Sequence, residues 1–78
     1  MLQKTTMNEN DLALIAKKFR QQASTTRAQA ARDLGVSQTS IFNAEESPEY
    51  GLIKLRIRMI EMYSKFKVTG PVFFLERK

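Results

Sequence analysis

A single glycine, Gly35, divides two short stretches that each carry a helix-start signal, and this constrains the middle of the chain more than any other feature. Residues 25–45 read TTRAQAARDLGVSQTSIFNAE. Ser24, Thr25 or Thr26 offers a side-chain oxygen to the free amides that open a helix. Thr26, with Gln29 three residues on, has the spacing of a capping box. Ala28, Ala31 and Leu34 then face inward, and the small Ala31 admits close approach of a second backbone. Gly35 suits the left-handed conformation that ends a helix. Val36 follows as an apolar plug, and Ser37 caps the next helix, on which Ile41 and Ala44 point back to the core. That helix stops near Glu45 or Glu46, because Ser47-Pro48 disfavours continuation. The prediction is two short helices joined by a tight turn.

The flanks read as further helices. Asn8 or Asn10 caps a first one, and Glu9 and Asp11 suit the positive end of its dipole. Leu12, Ile15, Ala16 and Phe19 recur at helical spacing, with Lys17, Lys18, Arg20 and Gln21 largely off that stripe. The helix ends near Gln22 or Ala23, and residues 1–7 are expected to fray. A fourth helix runs from Pro48 or Tyr50 to Phe66, or starts at Leu52, since Gly51 weakens its opening. Leu52, Leu55, Met59, Met62 and Phe66 form one apolar face. Ile53, Ile57 and Ile60 form a neighbouring one, and Lys54, Arg58, Glu61 and Lys65 are left for solvent. Either this broad surface wraps the small core or part of it packs on a second chain. Gly70-Pro71 breaks the pattern, and Val72, Phe73, Phe74 and Leu75 favour a strand. That strand either pairs with the same segment of a second subunit or drapes its aromatics over the helices. The fold expected is therefore mainly α, a single domain over 1–78 with about four helices and a short C-terminal β-strand or arm over 70–78.

Composition narrows the chemistry. The 78 residues allow one small domain, a size that often gains from oligomerisation. There is no cysteine and no histidine, which removes disulfides, thiolate metal sites, the usual general base and the commonest metal ligand. Ser37, Ser40 and Ser64 have no activating partner, and no phosphate-cradling loop is present. Neither an enzyme nor a cofactor is expected. No apolar run approaches the ~20 residues of a membrane span, and residues 1–9 lack a signal-peptide pattern, so no membrane partner and a cytoplasmic location are expected. The formal net charge of +5 favours a polyanionic partner. Lys17, Lys18, Arg20, Arg27 and Arg32 precede the turn, and Lys54, Arg56, Arg58, Lys65 and Lys67 form a later basic group.

Residues 26–41, TRAQAARDLGVSQTSI, resemble the helix-turn-helix of the lambda repressor and Cro class of regulators and of the related XRE-type domains. The motif spans about 26–45, carried by Ala31, Gly35 and Ile41 together with Leu34-Gly35-Val36-Ser37. The resemblance implies a small lambda-repressor-like domain whose recognition helix enters the DNA major groove. It places Gln38, Thr39 and Asn43 at base edges, with Ser40 and Phe42 as further candidate contacts, and Arg27, Arg32 and Ser37 at phosphates. Side-chain chemistry agrees: Gln38 matches adenine N6 and N7, Thr39 offers a hydroxyl and a methyl suited to thymine, and Asn43 repeats the amide logic. Phe42 either touches a thymine methyl or folds back onto the fourth helix, and dry packing favours the second. Glu45 is expected to be structural, because an acid helps little beside phosphate.

The function so implied is a sequence-specific regulator of a phage or plasmid type. It would be a homodimeric repressor on a palindromic operator in double-stranded DNA, with Ile57, Ile60, Val72, Phe73, Phe74 and Leu75 as the candidate dimer interface. Two alternatives stand beside it. One is a protein-binding adaptor or toxin-neutralising module that meets an unidentified protein partner through the fourth helix and residues 72–75. The other is a DNA-architectural or recombination accessory protein.

Overall fold

The computed structural model describes residues 7–70 and 73–78. The chain folds as α1 (Glu9–Gln22), α2 (Arg27–Leu34), α3 (Gln38–Glu46) and α4 (Ile53–Tyr63), followed by β1 (Phe66–Thr69) and β2 (Phe74–Arg77). It is a mainly α domain closed by a short antiparallel hairpin. Local signals set the helix ends. Asn8 and Asp11 form a reciprocal capping box at the start of α1, and the Thr26 and Ser37 hydroxyls accept the amides of Gln29 and Ser40 at α2 and α3. The core joins all four helices: Leu12 and Ala16, then Ala30, Ala31 and Leu34, then Ile41 and Ala44, then Leu55, Met59 and Ile60. On α2 it is Ala30 that is fully buried, while Ala28 is only half-buried.

Three expectations are corrected here. The fourth helix does not reach Phe66. It stops at Tyr63 because Ser64 turns to an extended conformation (φ −147°, ψ 176°). The Ser64 hydroxyl then donates to the Ile60 carbonyl at 2.5 Å and accepts the Phe66 amide at 3.1 Å. Phe66 thus begins β1, stacked on Phe19 at 5.9 Å, and supplies the C-terminal strand with a partner inside the same chain. Second, residue 7 is not frayed: Met7 is buried and its amide donates to the Phe73 carbonyl at 2.9 Å. Third, Ile60 is fully buried in the core and offers nothing to a dimer interface. Ile57 is half-buried, Phe73 and Leu75 pack half-buried against the core, and Val72 lies outside the described residues.

The register of the hairpin decides which backbone groups point outward. The Lys78 amide donates to the Lys65 carbonyl, and the pairs Lys67↔Glu76 and Thr69↔Phe74 keep the same phase. The backbone groups of Phe66, Val68, Leu75 and Arg77 therefore point away from the hairpin seam. On β1 the outward amides of Phe66 and Val68 are taken by Ser64 and by a Glu61 carboxylate oxygen. On β2 the outward groups of Leu75 and Arg77 meet no partner among the described residues.

Candidate nucleic-acid interface

The turn between α2 and α3 is built from backbone geometry. Gly35 adopts φ 68°, ψ 35°, and the Val36 amide closes on the Ala31 carbonyl at 3.0 Å, the six-to-one bond of a Schellman ending. The Leu34 carbonyl, also left free by the helix end, accepts Arg58 Nη2 at 2.9 Å. Ser37 then opens α3, its Oγ 3.0 Å from the Ser40 amide and 2.9 Å from the Ser40 hydroxyl.

Apolar and ionic contacts fix the inward side of α3. Ile41 and Ala44 are fully buried, and so in effect is Glu45. Its carboxylate takes two hydrogen bonds from Arg20 of α1, one of them from Nη2 at 3.0 Å, and a third from Arg27 Nε of α2 at 2.9 Å. From α4, the buried Arg56 donates Nε to the Ala44 carbonyl at 2.8 Å and Nη2 to the Ser47 carbonyl at 2.9 Å. Guanidinium groups from three other helices thus converge on the C-terminal half of α3. Such groups suit a helix C-terminus, where carbonyls lack intrahelical donors. The hydrogen bond to Glu45 raises the Arg20 pKa, whereas burial lowers that of Arg56, against the opposing pull of Glu9 and Glu49. Glu46, hydrogen-bonded by Lys17 at 2.6 Å and by Arg27 at 2.8 Å, is held below the usual glutamate range, chiefly by Lys17.

The outward side of α3 is different. Gln38 and Thr39 are exposed and Asn43 is half-buried, and among the described residues the side-chain amides and hydroxyl of all three are without hydrogen-bond partners. Ser40 is half-buried, its hydroxyl occupied by Ser37. Phe42 does not fold onto α4: it is 47% exposed, with the Arg27 guanidinium 5.1 Å from its ring centroid. Arg27 itself is committed to Glu45, Glu46 and this ring, so the phosphate contact expected of it gives way to a structural one. Arg32 stays exposed, with one hydrogen bond among the described residues, to Gln29 at 2.8 Å. Beside the start of α3, an open groove of about 510 Å³ is lined by Val36, Ser40, Leu52, Ile53, Lys54 and Arg58.

The sequence reading takes Glu45 as structural, as found, but sets Arg20 largely off the apolar stripe and counts Arg56 only within a basic group, whereas both are buried. Spacing carried the missing signal. Arg20 follows Ala16 and Leu12 at intervals of four, and Arg56 lies four residues from both Leu52 and Ile60, which sets each cation in line with buried positions. Among the described residues no group of acidic side chains is arranged to hold a metal, and no helix is long and apolar enough to cross a membrane. No protein-family model, curated protein or solved structure matches the chain.

Proposed function

We propose that this protein is a sequence-specific DNA-binding regulator that sets α3 into the major groove and represses by occupying a palindromic operator as a homodimer. One observation carries the reading. A short helix is pinned to three others on its inward side, while Gln38, Thr39 and Asn43 on its outward side present amide and hydroxyl groups with no partner among the described residues. A helix held by buried polar contacts on one side, with hydrogen-bonding side chains uncommitted on the other, is suited to reading base edges, because those groups need no internal bond broken before they meet a base. Gln38 takes adenine through N6 and N7, Thr39 takes thymine, and Asn43 reads a base one turn further on. Arg32, together with the opening of α3 at Ser37, supplies phosphate contacts. The net charge of +5 supplies the long-range attraction.

A homodimer on a palindromic operator would need its two α3 helices one turn of DNA, ~34 Å, apart.

The test is selection from a random-sequence duplex library with the purified protein, repeated with Gln38 and Thr39 both changed to alanine. A recovered palindrome that the double variant no longer selects is the expected result. No enriched sequence from folded wild-type protein overturns the reading and turns attention to the groove beside α3 as a protein-docking surface.

A further inference from the structure

Phe42 is the one large apolar side chain exposed on α3 among the described residues. The others, Leu14, Tyr50 and Met62, lie on α1, in the α3–α4 connection and on α4. A lone exposed aromatic is ordinary on most surfaces, but this one is held. Arg27 lies over the ring at 5.1 Å, and Arg27 is fixed in turn by Glu45 at 2.9 Å and Glu46 at 2.8 Å. Glu45 is anchored on Arg20 inside the fold, and Glu46 on Lys17. A chain of ion pairs running back to α1 therefore sets where an exposed ring stands. Phe42 follows Gln38 by four residues and Thr39 by three, the intervals that place side chains side by side on a helix surface.

From this geometry we infer that Phe42 reads the 5-methyl group of a thymine, with Arg27 as its positioning residue; the inference rests on the DNA-reading assignment of α3. The thymine methyl is the apolar feature of the major-groove base edges, and an apolar ring among amide and hydroxyl side chains matches it. One face of the ring is covered by a guanidinium, and the remaining ring surface is already oriented, so the contact loses little side-chain freedom on binding. A protein-docking role fits less well. Protein interfaces use contiguous apolar patches, and the neighbours of this ring on α3 are Gln38, Thr39 and Asn43. The two carboxylates around Arg27 also disfavour a phosphate there, because they already neutralise the cation.

The experiment replaces thymine by uracil, one position at a time, in the selected operator, and measures affinity for the wild type, Phe42→Ala and Arg27→Lys. In the wild type, one thymine in each half-site weakens binding about fourfold when its methyl is removed, the equivalent of one buried methyl group. Phe42→Ala abolishes that ratio, and Arg27→Lys, which keeps the charge for Glu45 and Glu46 but loses the planar guanidinium, reduces it. Because the thymine-to-uracil ratio is taken within each variant, a loss of folded protein does not mimic the effect. An operator in which every uracil replacement is silent overturns the inference while leaving DNA reading intact. A penalty that persists undiminished in Phe42→Ala also overturns it and assigns the methyl to Thr39. Failure to recover any operator overturns the DNA-reading assignment and this inference together.

Discussion

At Arg56 two opposing costs meet in one side chain. The guanidinium is fully buried, and among the described residues its Nη1 has no hydrogen-bond partner and its ion pair, with Glu9, spans 3.8 Å. Burying a charge with so loose a counter-ion is expensive, and that is the reason its pKa is lowered. Against this, Nε and Nη2 satisfy the Ala44 and Ser47 carbonyls at the end of α3, and a buried carbonyl left unpaired costs about 1–3 kcal/mol. Arg56→Met keeps the length of the stem, relieves the charge and strands both carbonyls. We expect the stranded carbonyls to dominate, with a net loss of about 2 kcal/mol in urea unfolding. A variant as stable as the wild type would mean that relief of desolvation cancels the lost bonds. The wild-type residue would then contribute to the placement of α3 more than to stability.

At the scale of elements, the turn that sets α3 against α2 depends on one conformation. A Cβ built on Gly35 meets nothing within 4 Å, so Gly35→Ala meets no steric clash and pays only for the left-handed backbone at φ 68°. That cost is about 1–2 kcal/mol. Gly35→Asn, whose side chain tolerates this region, should cost less. Thermal unfolding of both checks this, and equal losses would show that the backbone conformation is not what the turn needs from glycine. This turn, the caps at Asn8, Thr26 and Ser37 and the inward stripe of each helix were legible because each signal lies within a few residues of its effect. The hairpin was not. Phe66 continues the four-residue spacing of Met62 and so reads as helix, and only the capture of Ser64 by the Ile60 carbonyl and the pairing with residues 74–77 make it a strand. The exposed Gln38 and Thr39 followed from local pattern, whereas the transfer of Arg27 from a phosphate role to Glu45 and Glu46 depends on contacts 18 and 19 residues away. No periodicity within α2 encodes those contacts.

For the whole molecule, the contacts that tie helices across the fold set its pH window. Tyr63 at the end of α4 donates to Asp33 of α2 at 2.7 Å. Hydrogen bonds from Gln29 and then Tyr63 hold Asp33 below its ordinary 3.8, and Lys17 holds Glu46 below its ordinary 4.5. For a carboxylate with a lowered folded pKa, the stabilisation is present above the unfolded value and is lost as the pH falls through the folded one. Stability should therefore hold down to about pH 5 and decline below it as these acids protonate. Tyr63 closes the other side. Burial first, and then the Asp33 hydrogen bond, raise it from 10.0 to about 12. Its contribution is complete below the unfolded value and disappears as the pH rises from 10.0 to about 12. Urea midpoints across this range should trace a plateau with a shoulder on each side, and an ultraviolet titration of tyrosinate should contain a component near 12. Tyr63→Phe should remove that component and flatten the alkaline shoulder. It should also raise the Asp33 pKa and move part of the acid shoulder upward, because Asp33 keeps only its bond to Gln29. An alkaline shoulder unchanged in Tyr63→Phe would show that the loss at high pH comes from the basic side chains. The tie between α2 and α4 would then have no part in the window.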